Sequence, residues 1–219
     1  MSGKSAGIDF GLKTYLTFSD NKITISPEFF KQNKKEIRRK NRTLSRKIKY
    51  SKGYKKARKS LARIHKKIAN CRMDFHFKEA LRIVTEYDTI FLENLNIKAM
   101  KKLWGRKVSD LGFSYFVKIL ENKAIEYGKL LLKVGKFFPS SKTCSSCGNY
   151  QKEITLKDRV FNCKECGLKI DRDFNASINI REEGIQILKE EGASSSKLDR
   201  VNLEEILVSI DRASRIPCL

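Results

Sequence analysis

The sequence predicts a layered α/β fold built on a mixed sheet, and three observations predict it. Residues 7–25, GIDFGLKTYLTFSDNKITI, read as three short strands separated by turn regions at LKT and SDN. Residues 88–95, DTIFLENL, form a short apolar run of the kind a buried strand carries. Elsewhere apolar residues recur at helical spacing, so strands and helices interleave, which is the pattern of helices packed on a sheet.

After the three strands the chain changes character. Residues 31–70 hold 18 Lys or Arg and one acid, Glu36. Beneath that charge runs an apolar seam. Ile37, Asn41, Leu44 and Ile48 fall at helical spacing, SKGY at 51–54 interrupts, and Ala57, Leu61, Ile64, Ile68, Cys71 and Phe75 continue in alternating fours and threes. This is the narrow stripe of a coiled pair of helices spanning 31–87. The acids that normally intersperse a solvated face are nearly absent, which favours contact with phosphate. Arg38, Arg39, Arg42, Lys55, Arg58 and Lys59 are the candidate contacts.

Beyond the strand at 88–95, Phe113, Phe116, Leu120, Ala124 and Tyr127 mark an amphipathic helix, and KLLLKV at 129–134 a further strand. A last helix begins near Asp173 and runs toward Glu190. GASSSKLDR beyond it reads as a linker, and the tail to Leu219 has no clear period. His76 carries no chemistry in this reading; a helix-surface or packing role is expected.

A net charge of +22 on 219 residues favours a polyanionic partner, and nucleic acid leads. No transmembrane run, basic amphipathic anchor or signal peptide is visible, so a cytoplasmic protein is expected, with no membrane partner. Six cysteines in a reducing compartment are not read as disulfides. Cys71 and Cys218 stand alone. The other four, in CSSCG at 144–148 and CKECG at 163–167, have the spacing Cys-x2-Cys-x15-Cys-x2-Cys. Two residues between thiolates let both reach one tetrahedral ion, so Cys144, Cys147, Cys163 and Cys166 are expected to bind structural zinc.

Three separated acids raise a different question. Asp9 stands in the first strand between apolar residues and glycines, Glu93 ends the strand at 88–95, and Asp173 opens the last helix. Each alone has a plain explanation, as a surface acid at a strand end or as a helix cap. Together, an acid on strand one, another at the end of strand four and a third at the start of the last helix make the layout of an RNase H-like nuclease. Hard oxygen ligands of this kind suit Mg²⁺ or Mn²⁺.

GIDFGLKTYLTFSD, RMDFHFKEALRIVTEYDTIFLENLNIKAM, SSKTCSSCG, FNCKECG and DRDFNASINI resemble the transposon-encoded OrfB/TnpB family, relatives of type V CRISPR effectors. The match covers residues 7–190. It implies a RuvC-like domain of RNase H fold with a helical-hairpin insertion and an inserted zinc ribbon. The core's first part would be 1–139, the ribbon 140–168, the final helix 169–191 and a tail 192–219. The resemblance assigns the catalytic acids to Asp9, Glu93 and Asp173, and leaves Asp171 as a cap or neighbour. It also implies DNA and guide RNA as partners and a role in transposition. Family members carry a recognition lobe ahead of the first catalytic aspartate, which here is residue 9, so a missing N-terminal lobe supplied by another chain joins the expected partners.

The reading is a divalent-metal-dependent DNA endonuclease module, RNA-guided in its full-length form. Its rivals are a catalytically idle nucleic-acid-binding remnant or regulator, and a guide-independent junction-resolving nuclease.

Overall fold

The computed structural model describes residues 3–155 and 158–192; the expected tail and Cys218 lie outside them. Five strands form a sheet: β1 (Ser5–Phe10), β2 (Leu16–Phe18), β3 (Ile23–Thr24), β4 (Thr89–Glu93) and β5 (Leu130–Val134). Their order is β3-β2-β1-β4-β5. β1, β2 and β3 pair antiparallel, as the two short turns between them require, while β4 runs parallel to both β1 and β5. The sheet is therefore mixed, with β1 and β4 side by side near its centre.

Helices cover both faces. The helices in chain order are α1 (Phe29–Gln32), α2 (Lys34–Ser45), α3 (Lys52–Glu86), α4 (Ile97–Leu111), α5 (Phe113–Glu126) and α6 (Arg172–Gly192). Alternation along the strands decides which residues meet which helices. Ala6, Ile8 and Phe10 of β1 and Ile90 and Leu92 of β4 enter the larger core, with Ala80, Ile83 and Val84 of α3 and Phe113 and Phe116 of α5. Phe91 and Val134 point the other way and meet Ile180 of α6. Two glycines permit the close approach of α6. A side chain on Gly7 would run into the Ser177 carbonyl and the Arg181 backbone nitrogen, and one on Gly184 would run into the Phe91 ring.

α2 lies along the first half of α3, as the seam implied. Ile37, Ile64 and Ile68 are buried between them, with Phe29, Phe30 and Leu61 alongside. Two expected seam residues are exposed instead. α2 stops at Ser45, where the Arg46 and Lys47 N–H groups close the last turn on Arg42 and Leu44 carbonyls, so Ile48 falls in the connecting turn and is 83% exposed. Asn41 faces solvent. α3 restarts on a Ser51 cap, whose hydroxyl accepts the Tyr54 N–H at 3.1 Å.

α4 is an element the sequence reading left out. Asn96 caps it, accepting the Ala99 N–H at 3.2 Å, and its backbone leaves helical values at Trp104 (φ −130°, ψ 31°). His76 packs, as one of the two expected roles had it. It is fully buried in α3, stacks on Tyr15 and hydrogen-bonds the Tyr15 hydroxyl and the Leu111 carbonyl. Burial holds its imidazole down to about 4, so it is neutral.

Between β5 and α6 lies a small unit with its own two-stranded sheet, β6 (Val160–Asn162) and β7 (Lys169–Asp171). Its core is Phe161, Cys144 and Cys163, flanked by Ile154, Leu168 and Ile170. β7 runs into α6 without a linker.

Candidate metal centres and nucleic-acid interface

Sheet register brings Asp9 and Glu93 together. Ile8 of β1 stands opposite Leu92 of β4 in a parallel ladder, so the next residues along are Asp9 and Glu93. Ile8 and Leu92 enter the α3–α5 core; by alternation Asp9 and Glu93 face the α6 side. Their carboxyl groups are close enough to interact electrostatically. α6 crosses that same face over Gly7 and brings Asp173 in its first turn, with Oδ2 3.8 Å from where a Cβ on Gly11 would stand.

The electrostatics follow from this crowding. Burial first, then the charges of Glu93 and Asp173, push the Asp9 carboxyl well above the usual carboxylate range, against a smaller opposing pull from Arg172. Burial raises Glu93 too. Asp9 and Glu93 stand side by side, with Asp173 near enough for its charge to act on Asp9; among the described residues only the four cysteines bring three or more ligand atoms within 4.8 Å of one another. The all-oxygen donor set is the kind taken by Mg²⁺ or Mn²⁺.

Asp171 and Asp173 part company in the structure. Asp171 precedes α6, and its Oδ1 accepts the N–H groups of Asp173 at 3.0 Å and Phe174 at 2.9 Å, which is helix capping. Asp173 caps nothing. Its Oδ1 accepts from Arg172 Nη2 at 3.0 Å, and Arg159 Nη1 lies 3.9 Å from its Oδ2.

The four cysteines converge. Their sulfurs all lie within 4.8 Å of one another, with Cys144–Cys166 and Cys147–Cys163 at 3.6 Å each. Four thiolates about 2.3 Å from a tetrahedral zinc stand about 3.8 Å apart, so the cluster fits that ion. Gly148 and Gly167 follow the two pairs at φ 74° and 73°, the left-handed turn each knuckle needs. Backbone N–H groups of Cys166 and Glu165 help hold the Cys163 thiol down to about 6, while burial and the neighbouring thiols push Cys147 up to about 12.

The basic pair keeps its charge on the outside. Arg38, Arg39, Arg42, Lys55, Arg58 and Lys59 are all exposed. Arg38 and Arg42 line one open concavity with Tyr54; Lys55, Arg58 and Lys59 line another with Tyr50 and Tyr54. The lone acid, Glu36, is 4.0 Å from Arg39.

Three functional neighbours escaped sequence reasoning. Arg172 donates from Nη1 to the Thr155 carbonyl at 3.0 Å and from Nη2 to Asp173. Asn175 donates to the Thr143 carbonyl at 2.7 Å and accepts the Ser145 N–H at 3.0 Å. Asn179 donates to the carbonyls of Ser140 at 2.8 Å and Thr143 at 2.7 Å. The available signal was two amides one helical turn apart in the last helix, interleaved with Phe174, Ala176, Ile178 and Ile180. Among the described residues no helix is long and apolar enough to cross a membrane.

With this geometry in hand, the chain compares with known proteins as follows. The OrfB family model, described as "Probable transposase", matches residues 1–103, and a model described as "Cas12f1-like, TNB domain" matches residues 113–180. A Streptomyces pristinaespiralis protein named "Putative RNA-guided DNA endonuclease" is 34% identical over 183 residues, 83% of this chain and 45% of that protein. "Putative RNA-guided DNA endonuclease InsQ" of Escherichia coli (strain K12) is 28% identical over 85% of this chain and 50% of its own length. A solved structure, the cryo-EM structure of a Cas12f1–sgRNA–target DNA complex, matches with a TM-score of 0.60 at 22% identity, covering 82% of this chain and 50% of that one. The chain spans about half the length, or less, of these relatives.

Proposed function

The chain belongs to the OrfB/TnpB family of transposon-encoded proteins, and on that premise we propose that it is the RuvC-like nuclease part of a divalent-metal-dependent, RNA-guided DNA endonuclease. One observation carries the proposal: the register that sets Asp9 beside Glu93 on the face where α6 delivers Asp173. The sheet order β3-β2-β1-β4-β5, with three antiparallel strands followed by two parallel ones, supports an RNase H-like core.

Asp9, Glu93 and Asp173 would hold Mg²⁺ or Mn²⁺, which when bound activates a water and stabilises the leaving oxygen of a phosphodiester. The protein's own part is to hold the three carboxylates together before the ion arrives. The raised proton affinity of Asp9 and Glu93 is the cost of that arrangement in the free chain. The basic α2–α3 pair tracks a nucleic-acid backbone through Arg38, Arg39, Arg42, Lys55, Arg58 and Lys59. The four cysteines hold zinc and keep the small β6–β7 unit folded against α6. Guide RNA and target DNA come to this reading from the names of relatives of which the matched region covers half the length or less.

Cleavage assays test the proposal, with guide RNA and the remaining part of a full-length relative supplied in trans. Asp9→Asn and Asp173→Asn should each abolish Mg²⁺-dependent cutting while leaving salt-sensitive DNA binding in place. Cutting that survives both changes would overturn the assignment. Cutting of branched DNA without a guide would select the junction-resolving rival. Binding without cutting by the unaltered chain would select the idle one.

A further inference from the structure

Asp173 is held from one direction. Arg172 is only 8% exposed, and its guanidinium joins the Thr155 carbonyl to Asp173 Oδ1, both at 3.0 Å. Its backbone N–H donates to the Arg159 carbonyl at 2.8 Å, and the Arg159 guanidinium approaches the other oxygen of Asp173 at 3.9 Å. The Nε of Arg172 is buried and finds no hydrogen-bond partner among the described residues. A buried guanidinium needs its remaining bonds, so losing either Thr155 or Asp173 would release it.

Thr155 and Arg159 belong to the cysteine unit, which cannot hold itself together by packing. Of its three buried core residues, two are the cysteines Cys144 and Cys163 and the third is Phe161. A unit this small takes its folding energy from its metal. One turn further along α6, Asn175 and Asn179 grip the backbone from Ser140 to Ser145, on either side of Cys144. The first two turns of α6 are thus fastened to the cysteine unit at both of its ends.

We infer that Arg172 is a positioning residue through which the four-cysteine site sets the placement of Asp173, so that metal loading of the cysteines governs divalent-cation binding by the acids. The inference rests on the reading of Asp9, Glu93 and Asp173 as metal ligands. Arg172 touches no reacting atom. It transmits order from a sulfur site that is chemically idle to an oxygen site that is not.

The experiment measures Mn²⁺ binding by calorimetry on the full chain, zinc-loaded, with Arg172→Met and Cys166→Ser singly and together. Arg172→Met keeps the length of the side chain and removes both bonds. Each single change should weaken Mn²⁺ about tenfold or more, the usual effect of removing a partner behind a ligand. The double change should cost little beyond the larger single one, because both break one chain of contacts. Wild-type Mn²⁺ affinity in either single variant, or losses that multiply in the double, would overturn the inference.

A second readout needs no Mn²⁺. Removing zinc should shift the amide resonances of Asp173 and Phe174 in the unaltered chain, and Arg172→Met should largely remove that response. Equal responses in the two proteins would overturn the inference. Failure of the zinc-loaded unaltered chain to bind Mn²⁺ at all would instead overturn the reading of the acids on which it rests.

Discussion

The four-cysteine unit and the three-acid cluster solve the same problem, gathering like-charged ligands, in opposite ways. The cysteines lie within 23 residues of sequence, on two knuckles joined by a short ribbon, and little besides a metal would hold them in place. The acids span residues 9 to 173 and are brought to one face by a five-stranded sheet and a helix packed on it through apolar residues. A site whose ligands are local can be organised by its metal; a site whose ligands are remote must be organised by the fold. The penalty is visible in the second case. Burial pushes Asp9 and Glu93 toward protonation, and the charges of Glu93 and Asp173 push Asp9 further.

The largest consequence is expected on the sulfur side. Purified without chelator, the chain should carry one zinc per molecule through Cys144, Cys147, Cys163 and Cys166. Stripping it should unfold the β6–β7 unit while β1, β4 and their cores persist, because zinc binding energy is folding energy only where the ligands sit. Elemental analysis and amide exchange measure the two halves. A global loss of structure on chelation would erase the distinction between the sites.

The acid site should respond oppositely to ion removal, by staying folded and resenting its charge. In chelated protein the raised Asp9 pKa means the folded state binds a proton that the unfolded state has released. Its contribution to stability is therefore full below the ordinary carboxylate range of about 4 and is lost as pH rises through the higher folded value. Asp9→Asn should flatten that slope and raise stability at neutral pH, and Mn²⁺ should restore the unaltered chain. Denaturant melts across pH measure this. A stability that rises over the same interval in the unaltered chain and is untouched by Asp9→Asn would show that the acids are not crowded.

How far each site could be read from sequence follows from the same contrast. The cysteine spacing is a local pattern, and nothing about the fold is needed to recognise it. The three strands of the first segment, β4, β5, α5 and α6 were legible because each is a short stretch with one dominant period. α4 carried a usable seam in Ile97, Met100, Trp104, Val108 and Leu111, with Asn96 as its cap, yet its dense lysines and the break at Trp104 obscured the repeat. Ile48 misled for the reverse reason: its spacing was right, but the helix had already ended. Arg172 could not have been singled out, since its partner Thr155 lies 17 residues away in a unit ordered by tertiary contacts.

Gly7→Ala sharpens the comparison without touching a ligand. A Cβ there meets the Ser177 carbonyl and Arg181 nitrogen, both backbone, so α6 has to move away from β1. Overpacking of this kind costs about 1–3 kcal/mol. It should also separate Asp173 from Asp9 and weaken Mn²⁺ binding, while zinc stoichiometry stays unchanged. Wild-type Mn²⁺ affinity with the full stability loss would mean the acids do not depend on how α6 sits.

The smallest effect is the most diagnostic, because it compares two aspartates that are two residues apart. Asp171 Oδ1 accepts two N–H groups at the start of α6, and a neutral amide oxygen can do the same. Asp171→Asn should therefore be nearly silent in stability and in Mn²⁺ binding, since Asn caps about as well as Asp. Asp171→Ala removes the acceptor and should cost about 1 kcal/mol in a denaturant melt, with the acid site otherwise intact. Asp173→Asn should do the reverse. It keeps the shape and the Asp171 cap and relieves repulsion on Asp9 but weakens the pairing with Arg172, so ion-free stability should change little while Mn²⁺ binding collapses. The two residues are alike in chemistry and differ only in what surrounds them: two peptide N–H groups for one, two guanidinium groups and the buried Asp9 for the other. Loss of Mn²⁺ binding in Asp171→Asn with retention in Asp173→Asn would reverse the assignment and move the ion to the wrong side of the helix start.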